Sequence, residues 1–243
     1  VMHFIIQLPL AFKLGFRPSL SFRANDDVKK IGKLAFPRLL ETLVIQLSKT
    51  VELFLASLVS TASYAYFYLG NTLQSLPVGL LGISVAKAAL PTLSDQADDI
   101  DKFRATINKV FFNMVFFIVP FAVMFIVLRI PIVRLVYGRE LFDWQSTYQT
   151  SLVLSAFASG IVAQAVIALF SRGFYALHDT KTPVVIAVFT IFGIVFLDFL
   201  FIKGFGFGVW GLAAAYSICI TIQADVLYVM LFNRIGKVKY SEI

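Results

Sequence analysis

The sequence is short of cysteine, histidine and charge. It holds one cysteine, Cys219, and two histidines among 243 residues, and 14% of its residues are charged, against about 25% in a soluble domain. A single thiol excludes a disulfide framework, and Cys219 is most simply a small buried hydrophobe. His3 and His178 lie far apart and no Cys/His cluster occurs, so the pattern of a zinc site is missing.

Motifs of catalysis and nucleotide binding are missing as well. No phosphate-binding glycine loop occurs, which argues against ATP-driven activity, and nothing indicates a positioned Ser/His/Asp trio. The net charge of +7 could suggest nucleic acid, but no basic and aromatic surface motif accompanies it. We therefore expect neither an enzyme, nor a resident cofactor, nor a nucleic-acid partner.

What the sequence has is apolar residues in long runs. Hydrophobic residues make up 59% of the chain and the mean hydropathy is +0.84, so much of the surface must face membrane lipids. At about 20 residues per span, the runs predict an all-α polytopic membrane helix bundle. Its six transmembrane helices are predicted at 34–59, 64–91, 106–128, 146–171, 183–203 and 209–233.

The remaining segments complete the predicted organisation. Residues 1–12 form an apolar run without the charged start or cleavage site of a signal peptide, and we interpret them as the end of a preceding transmembrane helix. A cytoplasmic linker is predicted at 13–33, a six-helix transmembrane lobe at 34–233 and a cytoplasmic tail at 234–243. We expect the chain to be a fragment of a larger transporter.

The distribution of Lys and Arg orients the spans. Short loops make consecutive helices antiparallel, and the side holding 13–38, 92–109, 172–181 and 234–239 then carries fifteen Lys and Arg residues, against four on the other side. Loops rich in Lys and Arg stay in the cytoplasm. We therefore predict that these loops and the C-terminus are cytoplasmic.

Proline predicts one helix break. Pro77 falls near the middle of the span 64–91, where its missing N–H should free the carbonyl of Leu73 and kink the helix. Transporters use such broken helices at binding sites, buried in protein or lining a cavity. Pro120 offers a second kink. A purely structural bend is the alternative at both prolines.

Ionisable residues lie at bilayer depth: Lys49, Glu52, Asp198 and Asp225. Each such charge costs about 3 kcal/mol or more, so it normally faces a protein interior or a watery cavity. Two interpretations stay open. Lys49 and Glu52 pair at i, i+3 while Asp198 bonds a hydroxyl, or Glu52 and Asp198 form a site for a cation or a proton, with Lys49 as counter-charge. Asp225 is assigned a structural role.

Further polar residues precede Pro77 at a depth similar to that of Glu52. These residues are Asn71, Thr72 and Gln74. Together with Lys49 they are predicted to line a cavity and to face the substrate. The sequence thus predicts one polar layer in the outer half of the membrane.

Three segments carry a family resemblance. Residues 76–86 (LPVGLLGISVA) with 89–94 (ALPTLS) look like a span of the MurJ (MviN) family of lipid II flippases. Residues 172–183 (RGFYALHDTKTP) resemble that family's cytoplasmic loop motif, and residues 51–57 (VELFLAS) resemble a third family segment. The likeness covers essentially the whole chain.

The resemblance implies a fold and a function. The fold would be one lobe of a fourteen-helix transporter of the multidrug/oligosaccharidyl-lipid/polysaccharide (MOP) exporter superfamily, from the end of the sixth helix to the twelfth. The function would be to flip undecaprenyl-pyrophosphate-linked peptidoglycan precursor, lipid II, across the bacterial cytoplasmic membrane. Alternating access against an N-terminal lobe, in the same or a separate chain, would be coupled to an ion gradient or the membrane potential. The activity would serve cell wall biogenesis and cell shape.

Other functions remain open beside this one. A polysaccharide-repeat flippase and a multidrug/sodium antiporter of the same superfamily are the alternatives closest in fold. A membrane fragment that transports nothing is the third.

The resemblance also bears on single residues. Some members carry a sodium site with carboxylates of the seventh and eleventh helices, whose positions look like Glu52 and Asp198. Members commonly have a cavity-facing arginine in the eighth helix, at the position of Thr72 here. Because a neutral hydroxyl replaces a bidentate cation, this position supplies no phosphate-binding arginine.

Overall fold

The computed structural model describes residues 46–236 apart from 48, 61, 140 and 141, and every regular element in this part of the chain is a helix. The predicted segments 1–12 and 13–33, the start of the span 34–59 and most of the tail 234–243 lie outside the described residues. The prediction of an all-α membrane bundle is confirmed for the remainder.

Nine α-helices and two π-helical segments make up the described chain. The α-helices are α1 at residues 46–59, α2 Ser63–Pro77, α3 Ser84–Asp95, α4 Ile100–Val127, α5 Arg129–Tyr137, α6 Trp144–Ala158, α7 Ile161–Ala176, α8 Lys181–Phe199 and α9 Trp210–Ile235. The π-helical segments are Val78–Ile83 and Leu200–Gly204.

The described helices account for five of the six predicted spans. Four continuous helices are long and apolar enough to cross a membrane: Ser63–Asp95, Ile100–Val127, Lys181–Gly204 and Trp210–Ile235. The pair α6 and α7 adds a fifth if both helices form one broken span. Large exposed aromatic side chains such as Phe116 and Phe189 suit a surface that faces lipid.

The span predicted at 146–171 is bent, and no bend was predicted there. α6 and α7 meet at 42°, and the N–H of Gly160 donates to the carbonyl of Phe157. The hydroxyl of Ser217 on α9 donates to the carbonyl of Ala156 at 2.7 Å, and so does that of Ser159. These hydroxyls satisfy a carbonyl that a straight helix would have paired with its own backbone.

The close approach of α9 also explains the glycine in this bend. A Cβ on Gly160 would lie 2.9 Å from the Ser217 hydroxyl oxygen and 3.1 Å from its Cα. Only glycine lets the two backbones come this near. The bend and the contact with α9 are therefore one feature.

The predicted break at Pro77 takes the form of a π-helical segment. Pro77 is the last residue of α2, and the chain continues through Val78–Ile83 into α3 as one span of 33 residues. The hydroxyl of Ser84 donates to the carbonyl of Gly79 at 2.9 Å. Pro120 lies inside α4, which continues from Ile100 to Val127 as one helix.

A short helix, α5, was also not predicted. Its nine residues are too few to cross a membrane. The hydroxyl of Tyr137 donates to the carbonyl of Leu69 on α2 at 3.3 Å, and Arg134 donates to the hydroxyl of Thr147 on α6 at 3.2 Å. α5 is thus hydrogen-bonded to α2 and to the start of α6.

The core lies around α7 and α9. α9 packs against α6, α7 and α8, and α7 also packs against α3 and α4. The ring of Phe170 stacks on Phe111 with centroids 5.7 Å apart and meets Tyr228 at 5.8 Å and Phe232 at 6.1 Å. Such aromatic pairs add about 0.5–1.5 kcal/mol each beyond the area they bury.

Candidate functional site

Asp198 is a buried carboxyl without a hydrogen bond. It is the penultimate residue of α8, its side chain is 0% exposed, and within the described chain neither oxygen has a hydrogen-bond partner. The structure therefore does not show the hydroxyl bond that one interpretation required. A lone charge buried in this way is costly, so the carboxyl suits a bound proton or a cation.

Two other helices surround this carboxyl. Glu52 of α1 lies within electrostatic range of Asp198 and of Tyr216 on α9. Cys219, three residues after Tyr216, interacts electrostatically with Asp198. Its sulfur lies near Gly193 of α8, where an added Cβ would be 3.4 Å away. We call Glu52, Asp198 and Tyr216 the acidic site.

The donor set of the acidic site limits what it can hold. No group of three His, Cys, Asp or Glu side chains suited to a metal ion occurs between residues 46 and 236, the unplaced positions aside. Two carboxyls and a phenol supply oxygen alone, which suits a hard cation or a proton and not a soft metal ion that prefers thiolate ligands. Sodium and proton binding at Glu52 and Asp198 stays a prediction.

Lys49 and Asp225, the other two ionisable residues predicted at bilayer depth, are exposed in the structure. Lys49 is exposed, and the described contacts include no ion pair between Lys49 and Glu52. Asp225 is exposed on α9. The role of Lys49 as counter-charge thus gains no contact from the structure.

The polar residues of α2 divide between two faces. Asn71 and Thr72 are exposed, whereas Gln74 is 2% exposed and accepts a hydrogen bond from Gln164 on α7. The substrate-facing role of the three residues stays a prediction. The hydroxyl of Thr72 donates to the carbonyl of Tyr68 at 2.8 Å. Tyr68, Asn71, Thr72 and Ser75, exposed at helical spacing, form what we call the polar strip.

A chain of three side-chain amides links α7 to the polar strip. Gln164 donates through Nε2 to Oε1 of Gln74 at 2.8 Å, and Gln74 donates through Nε2 to Oδ1 of Asn71 at 2.8 Å. No role was predicted for Gln164. It is the one polar side chain in the apolar run 161–170, and that isolation was the signal available.

Asp179 joins two elements at one end of the bundle. Its carboxylate accepts from the backbone N–H groups of Lys181 and Thr182 at 3.1 Å, at the start of α8, and pairs with Arg234 of α9 at 2.6 Å. Partial burial raises the pKa of Asp179, but the hydrogen bonds from Thr182, Arg234 and Lys181 outweigh it and leave that pKa below its usual value. The charged form is thus held in place.

Comparison with known proteins finds one family along the whole chain. The family model described as lipid II flippase MurJ matches residues 1–243. A probable lipid II flippase MurJ of Haemophilus influenzae is 30% identical over 239 residues, which cover 94% of this chain and 46% of that protein. A probable lipid II flippase MurJ of Vibrio cholerae is 30% identical over 232 residues, which cover 94% and 44%.

Solved structures give the same fold. A lipid II flippase MurJ in an inward closed conformation aligns with a TM-score of 0.73 at 27% identity, covering 88% of this chain and 47% of that one. An outward-facing multidrug resistance MATE family transporter of the MOP superfamily aligns with a TM-score of 0.69 at 15% identity, covering 85% and 45%, a likeness of fold alone. The chain spans about half the length of the curated relatives it matches.

Proposed function

The chain belongs to the lipid II flippase MurJ family, and on that basis we propose that it is one lobe of a transporter that flips lipid II. In this proposal, undecaprenyl-pyrophosphate-linked peptidoglycan precursor crosses the bacterial cytoplasmic membrane by alternating access. The C-terminus lies in the cytoplasm, as the Lys and Arg distribution predicts. The intact lipid moves without any covalent step, so the activity is transport and not enzyme catalysis.

The polar strip carries the proposal. Asn71, Thr72 and Ser75 are exposed on a helix long and apolar enough to span a membrane. The hydroxyls of Thr72 and Ser75 donate to carbonyls of their own helix, whereas hydrocarbon offers no partner for the side-chain NH₂ of Asn71. A second lobe facing this strip would enclose a watery cavity in which a polar headgroup can move. The matched proteins are about twice as long as this chain, which supports a second lobe in the same or a separate chain.

We further propose that the acidic site couples transport to an ion. Asp198 lies two residues before the π-helical segment Leu200–Gly204. π-Helical turns within helices frequently occur at functional sites. Binding of sodium or a proton would remove the cost of a bare buried carboxylate. One charge crossing 100 mV supplies about 2.3 kcal/mol, enough to bias a two-state cycle about fiftyfold.

The test is lipid II translocation in proteoliposomes, with the protein expressed from its complete gene. We expect unsubstituted protein to move fluorescent lipid II to the outer leaflet at a rate that depends on the ion gradient. We expect Asp198→Asn to slow transport about tenfold, a loss of about 1.4 kcal/mol, and to remove the ion dependence.

Asp225→Asn is the matched control. It makes the same substitution at an exposed acid of α9 and should keep both the rate and the ion dependence. Equal rates for Asp198→Asn and unsubstituted protein would contradict the coupling proposal. Efflux of drugs without movement of lipid II would contradict the flippase proposal itself.

A further inference from the structure

We propose that Asn71 is a hydrogen-bond donor for the headgroup of the lipid-linked substrate, and that Gln164 positions it through Gln74. The inference rests on the proposed function, because it concerns the same polar strip. It assigns a role to Gln164, a residue of α7 that is not on the strip.

The amide chain has a direction. Gln164 donates to the side-chain oxygen of Gln74, and Gln74 donates to the side-chain oxygen of Asn71. Both of these oxygens therefore already accept a hydrogen bond. Within the described residues, the side-chain NH₂ of Asn71 makes no hydrogen bond. Two donors therefore remain at the exposed end of the chain.

Burial makes the inner part of the chain rigid. Gln74 is 2% exposed and both of its polar atoms are bonded at 2.8 Å. Turning its amide over would bring N–H against N–H at Gln164 and oxygen against oxygen at Asn71. The three amides are therefore oriented together, and hydrogen bonds in such chains strengthen one another.

The bent pair of helices places Gln164. It lies four residues after Gly160, where the bend is stabilised by the bond from Ser217 to Ala156. The span Ser63–Asp95 packs tightly against α7 beside Gln164, since a Cβ on Gly82 would lie 2.8 Å from that of Ala165. The bend and this close contact hold α7 against the span that carries Asn71.

The donors of Asn71 suit an oxygen acceptor. At the neighbouring position, Thr72 donates its hydroxyl to the Tyr68 carbonyl. Asn71 is therefore the residue of the pair whose side chain still has donors to offer. Its neutral amide can bond an oxygen of a pyrophosphate or of a glycan, and both occur in a lipid-linked glycan precursor.

The test is a double-mutant cycle on the protein expressed from its complete gene. Asn71→Ala removes the donors, and Gln164→Met keeps the size of the side chain but removes its hydrogen bonds. We expect each to raise the concentration of lipid II needed for half-maximal transport about two- to tenfold, the loss of one hydrogen bond, with the maximal rate kept. Because Gln164 acts through Asn71, the double variant should be no weaker than Asn71→Ala.

A second probe and a control complete the experiment. Undecaprenyl pyrophosphate without glycan competes with lipid II, and weaker competition in the variants assigns the acceptor to the pyrophosphate, whereas unchanged competition assigns it to the glycan. Gln145→Met, at an exposed glutamine of α6, should change neither value. If Gln164→Met does not fold, Gln74→Met interrupts the same chain and replaces it in the cycle.

Two results would overturn the inference in distinguishable ways. If unsubstituted protein moves lipid II but the effects of Asn71→Ala and Gln164→Met add, Gln164 does not act through Asn71, and the proposed function stands. If unsubstituted protein neither binds nor moves lipid II, the proposed function fails and the role of Asn71 fails with it.

Discussion

Two residues of the described chain are in unfavourable states that bear on function or stability. Asp198 is a buried carboxyl without a hydrogen bond among the described residues, and His178 is the described non-glycine residue with a positive φ, 59°. The first lies at the acidic site. The second lies in the loop after α7, within the segment 172–183 that resembles a family motif.

The strain at His178 yields a prediction about stability. His178 ends α7 in a left-handed turn, with its N–H donating to Tyr175 and that of Asp179 donating to Phe174, an arrangement in which glycine is preferred. A non-glycine residue there costs about 1 kcal/mol. We expect His178→Gly to raise the unfolding temperature of the purified protein.

Two further variants at this position define the cause. His178→Asn should fall between His178→Gly and the unsubstituted protein, since asparagine tolerates the left-handed region better than histidine, and His178→Val should unfold at the lowest temperature. A lower unfolding temperature for His178→Gly would show that the imidazole makes a stabilising contact that outweighs the strain.

Among the helical elements, the π-helical segment Val78–Ile83 offers a matched pair of glycines. A Cβ on Gly82 would lie 2.8 Å from the Cβ and 2.9 Å from the Cα of Ala165, whereas a Cβ on Gly79 would meet nothing within 4 Å. We expect Gly82→Ala to lower the free energy of unfolding by about 1–3 kcal/mol because the helices must separate. Gly79→Ala should cost nothing and can gain about 0.5 kcal/mol.

Thermal or denaturant unfolding in detergent measures both substitutions. The comparison isolates the contact with α7, because the two glycines lie in the same π-helical segment and receive the same methyl group. Equal stabilities of the two variants would show that α7 can move away from Gly82 at no cost.

The helices that were predicted correctly are those determined by residues close together in the sequence. Long apolar runs set the spans, so 183–203 and 209–233 were found within two residues at each end of Lys181–Gly204 and Trp210–Ile235. The bend at Gly160 depends on a hydroxyl from α9, far along the chain, and only the Ser159-Gly160 pair hinted at it. α5 was missed because it is short and held by contacts to α2 and α6.

The same limit applies to the candidate site. Membrane depth and the family resemblance grouped Glu52 with Asp198, and the structure places them within electrostatic range. Depth could not show that Gln74 turns toward α7, nor that Gln164 meets it, because both depend on the rotation of packed helices. Lys49 shared the depth of the acidic site, yet it is exposed.

At the scale of the whole molecule, Asp179 connects the loop between α7 and α8 to the far end of α9. Its lowered pKa means that the charged form is favoured in the folded state over the unfolded one. The resulting stability is present above the unfolded pKa of about 3.9 and is lost as the pH falls through the lower folded value.

A pH series with two variants tests this connection. Asp179→Asn keeps an acceptor for the start of α8 but loses the ion pair with Arg234, which should cost up to about 1 kcal/mol. Asp179→Ala loses both and should cost about 1 kcal/mol more. We expect the difference in unfolding temperature between unsubstituted protein and Asp179→Asn to shrink as the pH falls below about 3.9 and to disappear below the lower pKa that Asp179 has in the folded protein. A difference that persists at that lower pH would exclude the ion pair as its source.

The position of Cys219 allows movement between α8 and α9 to be measured by labelling its thiol. This thiol is the single one in the 243 residues, it is 7% exposed, and it lies between α8 and α9 beside Gly193. We expect a maleimide dye to label the sulfur faster whenever these two helices separate. The rate of labelling at Cys219 would then report movement beside the acidic site without an engineered label.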